Sequence, residues 1–285
     1  LDGRPVRAAY FYDLRLHPDY RRTVLGRHML GVWNRMDRWA RESGAHLIYG
    51  TVKGDNEIML ALQQKKKDYR FAGRLRIIGR PVYRSRSLRR LPEEVDLSRD
   101  GEEVTAGVFR RYGRHQLFPT LFRDRYLSPN MEASGLFSCF RLREGDSYAS
   151  LGLFRICRTM RTRVLQLPVS YRLAKPLLAA ASRLLPLPRI PAEGGTISYC
   201  HVFNHLVEGP RGVSLWRELL AHANNLALAE GATLLTSAFD AGDPLLPVFD
   251  RGAINRIEYL VGYKSFRPDV PETLRPYFPD VRDMN

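Results

Sequence analysis

The chain has 285 residues, enough for two domains of roughly 100–200 residues each, so a single small module is excluded. With 44% hydrophobic, 11% aromatic and 26% charged residues it can bury sizeable cores, which excludes wholesale disorder. Its 45 basic against 30 acidic residues give a net charge of +15, a balance that favours nucleic acid, phosphorylated cofactors or acidic lipid without choosing among them.

Residues 7–16 carry Ala9, Phe11, Leu14 and Leu16 among polar neighbours and stop before Pro18, which predicts a strand leading into a turn. From Leu25 onward, Met29, Val32, Trp33, Met36, Trp39 and Ala40 recur at three- and four-residue spacing, with Gly44 as a stop. That is the pattern of an amphipathic helix, and it makes the Met and Trp stripe core. Residues 46–52 read as a buried strand, and Asp55 and Asn56 can cap a short helix from Glu57 to about Lys66. Residues 69–83 read as a strand pair turned at Gly79 and Arg80. The stretch 65–90 holds three lysines and eight arginines against Asp68 alone. It reads as a solvated edge hairpin with an interdomain linker, or as a strip for nucleic acid.

An acidic segment opens the second half near Leu91, a helical region is predicted over 104–126, and strands over 136–142 and 148–164. The apolar run 164–191 is broken by Arg172, Lys175, Arg183 and several prolines, too often for a membrane span. A membrane-surface helix, a lid, or packing between domains are its three readings. Residues 196–207 then read as a strand. Leu215, Leu219, Leu220, Ala223, Leu226 and Ala227 trace a helix closed by Gly231, and 234–239 and 254–263 are the last strands. The order strand, loop, helix, strand, short helix, strand thus occurs twice. Cys139, Cys157 and Cys200 are far apart in sequence, which fits a reducing, cytoplasmic setting and no cysteine zinc site.

Residues 14–30, LRLHPDYRRTVLGRHML, resemble the central motif of the GCN5-related N-acetyltransferase (GNAT) superfamily. In that family a strand ending in a proline turn is followed by a basic residue and small residues opening a long helix. A pyrophosphate there sits against unpaired backbone N–H groups, where the helix dipole favours anions and small residues allow close approach. Arg21 matches the basic position and Gly26 the second small one, while Val24 stands at the first. The resemblance implies acetyl-CoA as co-substrate and no metal. It places the donor against Leu14, Arg15, Leu16, Arg21, Arg22, Thr23, Val24, Leu25, Gly26 and Arg27, with Asn56 at the position that often touches the cofactor arm. The tyrosine that serves many members as general acid is Gln63 here, with Tyr69 near it.

The second copy aligns Arg211 to Leu220 on Arg21 to Leu30, a separation of 190 residues (211 less 21). Ser214 and Trp216 then fall on the small positions, and Asp240 and Asp243 where a neutral asparagine is usual. An indole in the phosphate path and an acidic pair predict a closed second loop. The resemblance covers nearly the whole chain and implies an α/β protein with a mixed sheet, built from two tandem GNAT-like acyl-CoA N-acyltransferase domains. Residues 1–88 are the carboxy-terminal portion of a first, cofactor-binding domain whose amino-terminal part is expected upstream. Residues 89–285 are a second, degenerate one.

The implied reaction is direct attack of a primary amine on the thioester of acetyl-CoA. Tyr12 and His201 are the candidate catalytic residues, with a satisfied structural histidine as the other reading of His201. The acceptor is an amine-bearing small molecule or a peptide, and the oligomeric state is open. A non-catalytic GNAT-fold acyl-CoA binder is an alternative, drawn from Val24, Gln63 and Trp216. Nucleic-acid binding through residues 65–90 is the other, less favoured because the run lacks regular aromatic interleaving.

Overall fold

The computed structural model describes residues 6–11, 25–66, 68–112, 116–117, 135–167, 169–181, 191–270 and 274–276. The first repeat runs β1 (Ala8–Phe11), α1 (Leu25–Glu42), β2 (Leu47–Lys53), α2 (Glu57–Lys65) and β3 (Arg70–Pro81). Helix α1 buries Trp33, Asp37 and Ala40 and is stopped by Gly44 in the left-handed region at φ +72°. Asn56 caps α2, its side-chain oxygen accepting from the Met59 N–H at 3.2 Å. The middle of the chain supplies β4 (Glu93–Glu94), α3 (Leu97–Tyr112), β5 (Gln116–Leu117), β6 (Phe137–Glu144), β7 (Ser147–Phe154), β8 (Thr162–Arg163), α4 (Val169–Ala181) and β9 (Thr196–Ile197). The second repeat is β10 (Tyr199–Glu208), α5 (Gly212–Ala229), β11 (Leu234–Asp240), α6 (Leu246–Asp250) and β12 (Asn255–Ser265), with β13 (Arg275–Pro276) after it.

Nine strands form one sheet in the order β1-β2-β12-β3-β11-β10-β7-β6-β4. Strand pairs β1·β2 and β10·β11 are parallel; β2·β12, β12·β3 and β3·β11 are antiparallel. Six strands therefore read the same from either side of the central β12·β3 pair. Each repeat lends its third strand to the other, so β12, from the carboxy-terminal half, lies between β2 and β3. Residues 1–88 and 89–285 share this sheet.

Alternation assigns the faces. Lys264 pairs with Ile48 and Arg256 with Ile78, so these four lie on one face. There α1 covers Ile48 through Ala40, and α5 covers Ile78 through Leu215, Trp216 and Leu219. On the opposite face α3 packs Val104 against Phe137, Cys139 and Phe203.

The structure departs from the sequence expectations in three places. Residues 69–83 make one twelve-residue strand, not a hairpin, because Gly79 is paired on both sides, to Thr236 and Asn255. The strand predicted over 148–164 ends at Phe154. A 3-10 turn (Ile156–Arg158) follows, held by the Arg158 N–H to Arg155 carbonyl bond, and leads to β8. The helix predicted from Val104 starts seven residues earlier, at Leu97; residues 113–115 and 118–126 of that region lie outside the described ones. The proline-broken run contains α4, a helix with Pro176 inside it. Among the described residues no helix is long and apolar enough to cross a membrane.

Candidate functional site

The two repeats align by their helix ends. Gly231 at φ +71° matches Gly44, a separation of 187 residues (231 less 44). At that offset the buried faces coincide: Trp33, Asp37 and Ala40 fall on Leu220, Asn224 and Ala227. Asn56, cap of α2, falls on Asp243, whose carboxylate accepts the Leu245 N–H at 2.8 Å ahead of α6. The separation of 190 expected from the motif is thus corrected to 187 through the helices and second strands. Trp216 consequently matches Met29, one turn inside the helix, and not Gly26. Its indole is fully buried beneath α5 and does not face the loop.

In the second repeat a crevice opens where the parallel pair separates. Strands β10 and β11 pair only over Tyr199, Cys200 and His201. Beyond them the ladder of β10 with β7 shifts register between Phe203 and Leu206, with Asn204 at φ +56°. The bulge turns His205 to the α5 face, where its Nε2 lies 2.8 Å from the Ser237 hydroxyl. Ser237 donates its only proton to the Val202 carbonyl at 2.7 Å, so it accepts from the ring N–H of His205. His205 stacks on Phe239 at 4.7 Å; Phe239 meets Phe249 at 5.3 Å, and Phe249 meets Trp216 at 6.4 Å. All four side chains are buried. The crevice of the second repeat is bridged by a hydrogen bond and filled with rings.

At the 187-residue offset the first repeat carries Gly50 for Ser237, Val52 for Phe239, Met29 for Trp216 and Leu62 for Phe249. Every replacement is smaller. The mouths differ in charge as well: Lys53 stands where the second repeat has Asp240. Arg211, beside the start of α5, is ion-paired with Glu144. In the first repeat Gln63 comes off α2 onto the sheet over β12. It is 3% exposed, its Oε1 has no hydrogen-bond partner among the described residues, and its amide sits against Gly262, which pairs with Gly50 across β2 and β12. Only glycine at 262 leaves room, since a Cβ there would overlap the amide nitrogen and come within 2.7 Å of its carbonyl carbon.

Tyr69, the nearby proton donor suggested by the sequence, is committed elsewhere. Its hydroxyl donates to Asp37 at 2.6 Å, and its ring meets Trp33 edge-on at 5.0 Å. Burial first, then that carboxylate, raise its pKa far above the usual value. Asp37 also receives Lys264 at 2.8 Å and Lys66 at 3.4 Å, and Lys264 pairs with Asp68, so a buried charge cluster ties α1 to β12.

Of the residues singled out in the sequence, Tyr12, Leu14, Arg15, Leu16, Arg21, Arg22, Thr23 and Val24 lie outside the described residues. Leu25, Gly26 and Arg27 form the first turn of α1. Asn56 is exposed at the start of α2. His201 is 1% exposed, with Nδ1 2.5 Å from the Thr236 hydroxyl. This cross-strand pair matches Tyr10 stacked on Tyr49 at 4.7 Å in the first repeat. Asp240 accepts the Gly242 N–H at 2.8 Å and shapes a turn. Sequence reasoning missed the Ser237–His205 bridge and the glycine pair under Gln63. The only linear trace of either was Gly50 and Gly262 inside strand patterns.

No protein-family model matches the chain. It is 24% identical over 261 residues to the Arabidopsis thaliana protein named Probable N-acetyltransferase HLS1, covering 84% of this chain and 64% of that one. It is 26% identical over 244 residues to the Oryza sativa subsp. japonica protein named Acetyl transferase GW6a, covering 82% and 55%. The chain thus spans 55–64% of the length of these curated relatives. Among solved structures it is similar to a GCN5-related N-acetyltransferase from Sphaerobacter thermophilus, at TM-score 0.55 and 15% identity, covering 97% of this chain and 78% of that one. A tandem GNAT protein from the clavulanic acid biosynthesis pathway follows at TM-score 0.52 and 12% identity, covering 93% and 77%. Saccharomyces cerevisiae N-myristoyltransferase with bound myristoyl-CoA gives TM-score 0.51 and 9% identity, covering 93% and 61%. The chain therefore has the fold of the GNAT superfamily in its tandem form, two copies of the central unit joined in one mixed sheet.

Proposed function

We propose that the first repeat binds acetyl-CoA in the crevice between β1 and β2 and transfers its acetyl group to a primary amine of a small-molecule or peptide acceptor. The observation that carries this reading is the contrast between the crevices. The second is filled by His205, Trp216, Phe239 and Phe249, whereas the first has smaller residues at the matching places. The names of the curated relatives support the reaction class.

In this reading the N–H groups opening α1 at Leu25, Gly26 and Arg27 receive the pyrophosphate. Arg21 and Arg22 add charge, Thr23 and Val24 shape the turn, and Lys53 and Asn56 flank the mouth. The backbone of Leu14, Arg15 and Leu16 corresponds to the stretch that bulges around Asn204 in the second repeat. There it would hold the thioester arm and polarise its carbonyl. The amine attacks that carbonyl, the C–S bond breaks, and the thiolate takes up a proton. Tyr12 is the proton-handling candidate of the donor-binding repeat. His201, tied to Thr236 in the other repeat, is proposed to act only on an acceptor lying on the α3 side of β10. A cytoplasmic setting keeps the three buried thiols reduced.

A second reading, acyl-CoA binding without turnover, draws on Gln63, which cannot protonate a thiolate. Thiol release from acetyl-CoA with a panel of primary amines separates the two. Amine-dependent release that is lost in Gly26→Trp is expected. Binding of acetyl-CoA with no release for any amine would overturn the transferase reading.

A further inference from the structure

The basic run of residues 65–90 has one portion that the acyl-transfer reading does not use. After β3 the chain continues over α5, and it is tied at every second residue. The Val82 N–H donates to the Thr233 carbonyl at 2.8 Å. Asn224, buried on α5, donates to the Arg84 carbonyl at 2.9 Å. Asn225 clamps Arg86 from both sides, accepting its N–H at 2.7 Å and donating to its carbonyl at 2.8 Å. This rigid strip gathers guanidinium groups. Arg84 and Arg86 lie over the Tyr83 ring at 5.6 and 5.9 Å from its centre, and Arg80 lies over Phe249 at 5.8 Å.

Among the described residues no carboxylate pairs with Arg80, Arg84 or Arg86. Other arginines of this molecule are neutralised: Arg141 by Glu93 and Asp100, Arg158 by Glu230, Arg256 by Asp250. Burial, then the positive charge of Arg86, depress the pKa of Arg80, so the cations repel one another across the site. A solvated basic face would spread its charges; this one fixes them on a clamped backbone, with Arg80 donating to the Val248 carbonyl at 3.4 Å and no carboxylate among the described residues offsetting the repulsion. Guanidinium forks match phosphate oxygens, and aromatic rings beneath them hold their planes.

We propose that Arg80, Arg84 and Arg86, set around Tyr83 and clamped by Asn224 and Asn225, form a binding site for clustered phosphates, supplied by a nucleic-acid backbone or a free polyphosphate. The site stands independently of acyl transfer. Binding of a labelled single-stranded oligonucleotide is measured by anisotropy across a salt series, with inorganic tripolyphosphate as competitor. The double variant Arg84→Gln/Arg86→Gln is compared with Arg99→Gln/Arg110→Gln, which removes the same charge from exposed positions on α3.

The first double should weaken binding at least about 10-fold at low salt and lower the salt slope by ~1.4, about 0.7 per phosphate contact on a single strand. The second should change affinity by no more than about 2-fold if the site is local. Asn225→Leu, which keeps every charge and loosens the clamp, should weaken binding too. Displacement by tripolyphosphate marks one site for both sources, and binding of tripolyphosphate alone marks a small-ligand site. Failure of both to bind at low salt, or equal losses in the two doubles, would overturn the proposal.

Discussion

Gly262→Ala tests how closely α2 is packed on β12. The new Cβ would sit 2.7 Å from the Gln63 carbonyl carbon and overlap its amide nitrogen, well inside van der Waals contact. The neighbours on β2 and β3 are backbone-paired to β12, so Gln63 must yield. Swinging out exposes its two methylenes, worth roughly 1.5 kcal/mol, and residual overpacking of the strand adds ~1–2, while release of the unpartnered Oε1 to solvent returns ~1–3, so about 1 kcal/mol of stability should be lost. Gln63→Ala alone loses the same methylenes but removes a buried carbonyl oxygen that has no partner, which was costing ~1–3 kcal/mol. Its net effect should stay within about 1 kcal/mol of the parent. In the double variant the alanine at 262 meets no amide, so a cycle of urea denaturation curves should give a coupling of about 1 kcal/mol in the stabilising direction. Strictly additive costs, or a Gly262→Ala variant as stable as the parent, would refute the packing argument.

Lys264→Met should cost about 2–3 kcal/mol, because Asp37 keeps only Lys66 and the Tyr69 hydroxyl in a site where both charges are 10% exposed; urea midpoints measure it. The same cluster sets a pH dependence. Burial pulls the Lys264 pKa down, but the hydrogen bonds it donates to Asp37 and Asp68 outweigh it, so its pKa is raised, as is that of Tyr69. Groups with raised folded-state pKa values stabilise fully below their unfolded values, near 10 for both, and lose that contribution as pH climbs above. Stability should therefore fall above about pH 10, and less steeply in Lys264→Met, as denaturation at a series of alkaline pH values would register; identical slopes would contradict the assignment. Trp216→Ala should cost ~3–5 kcal/mol, since it empties the centre of the ring cluster, whereas Trp216→Phe should stay within about 1.5 because the indole N–H has no partner to lose.

Much of the repeat was legible in the linear chain because its signals are local. The three- and four-residue spacing of α1, the Asn56 cap and the stops at Gly44 and Gly231 are all read within one element. The exchange of β3 and β12 was not legible. It pairs residues such as Leu75 with Asp240 and Tyr259, more than half of the chain apart, and no local pattern encodes a partner. The helix register slipped by three residues because the link between first strand and helix differs in length between the repeats. Matching arginines then put Trp216 where a phosphate should approach, although its spacing with Leu215, Leu219 and Ala223 already marked it as core. The filling of the second crevice was hidden for a related reason. Phe239 and Phe249 look like ordinary strand and helix residues until Asn204 breaks the ladder and turns His205 toward them.

Calorimetric titration with acetyl-CoA of the parent chain, Gly26→Trp and Ser214→Trp addresses the unequal crevices most directly. Ser214 is exposed at the start of α5, so an indole there disturbs only the second loop. The account predicts one site per chain in the parent, lost in Gly26→Trp and kept in Ser214→Trp. Two sites in the parent, loss in Ser214→Trp alone, or no binding at all would contradict it.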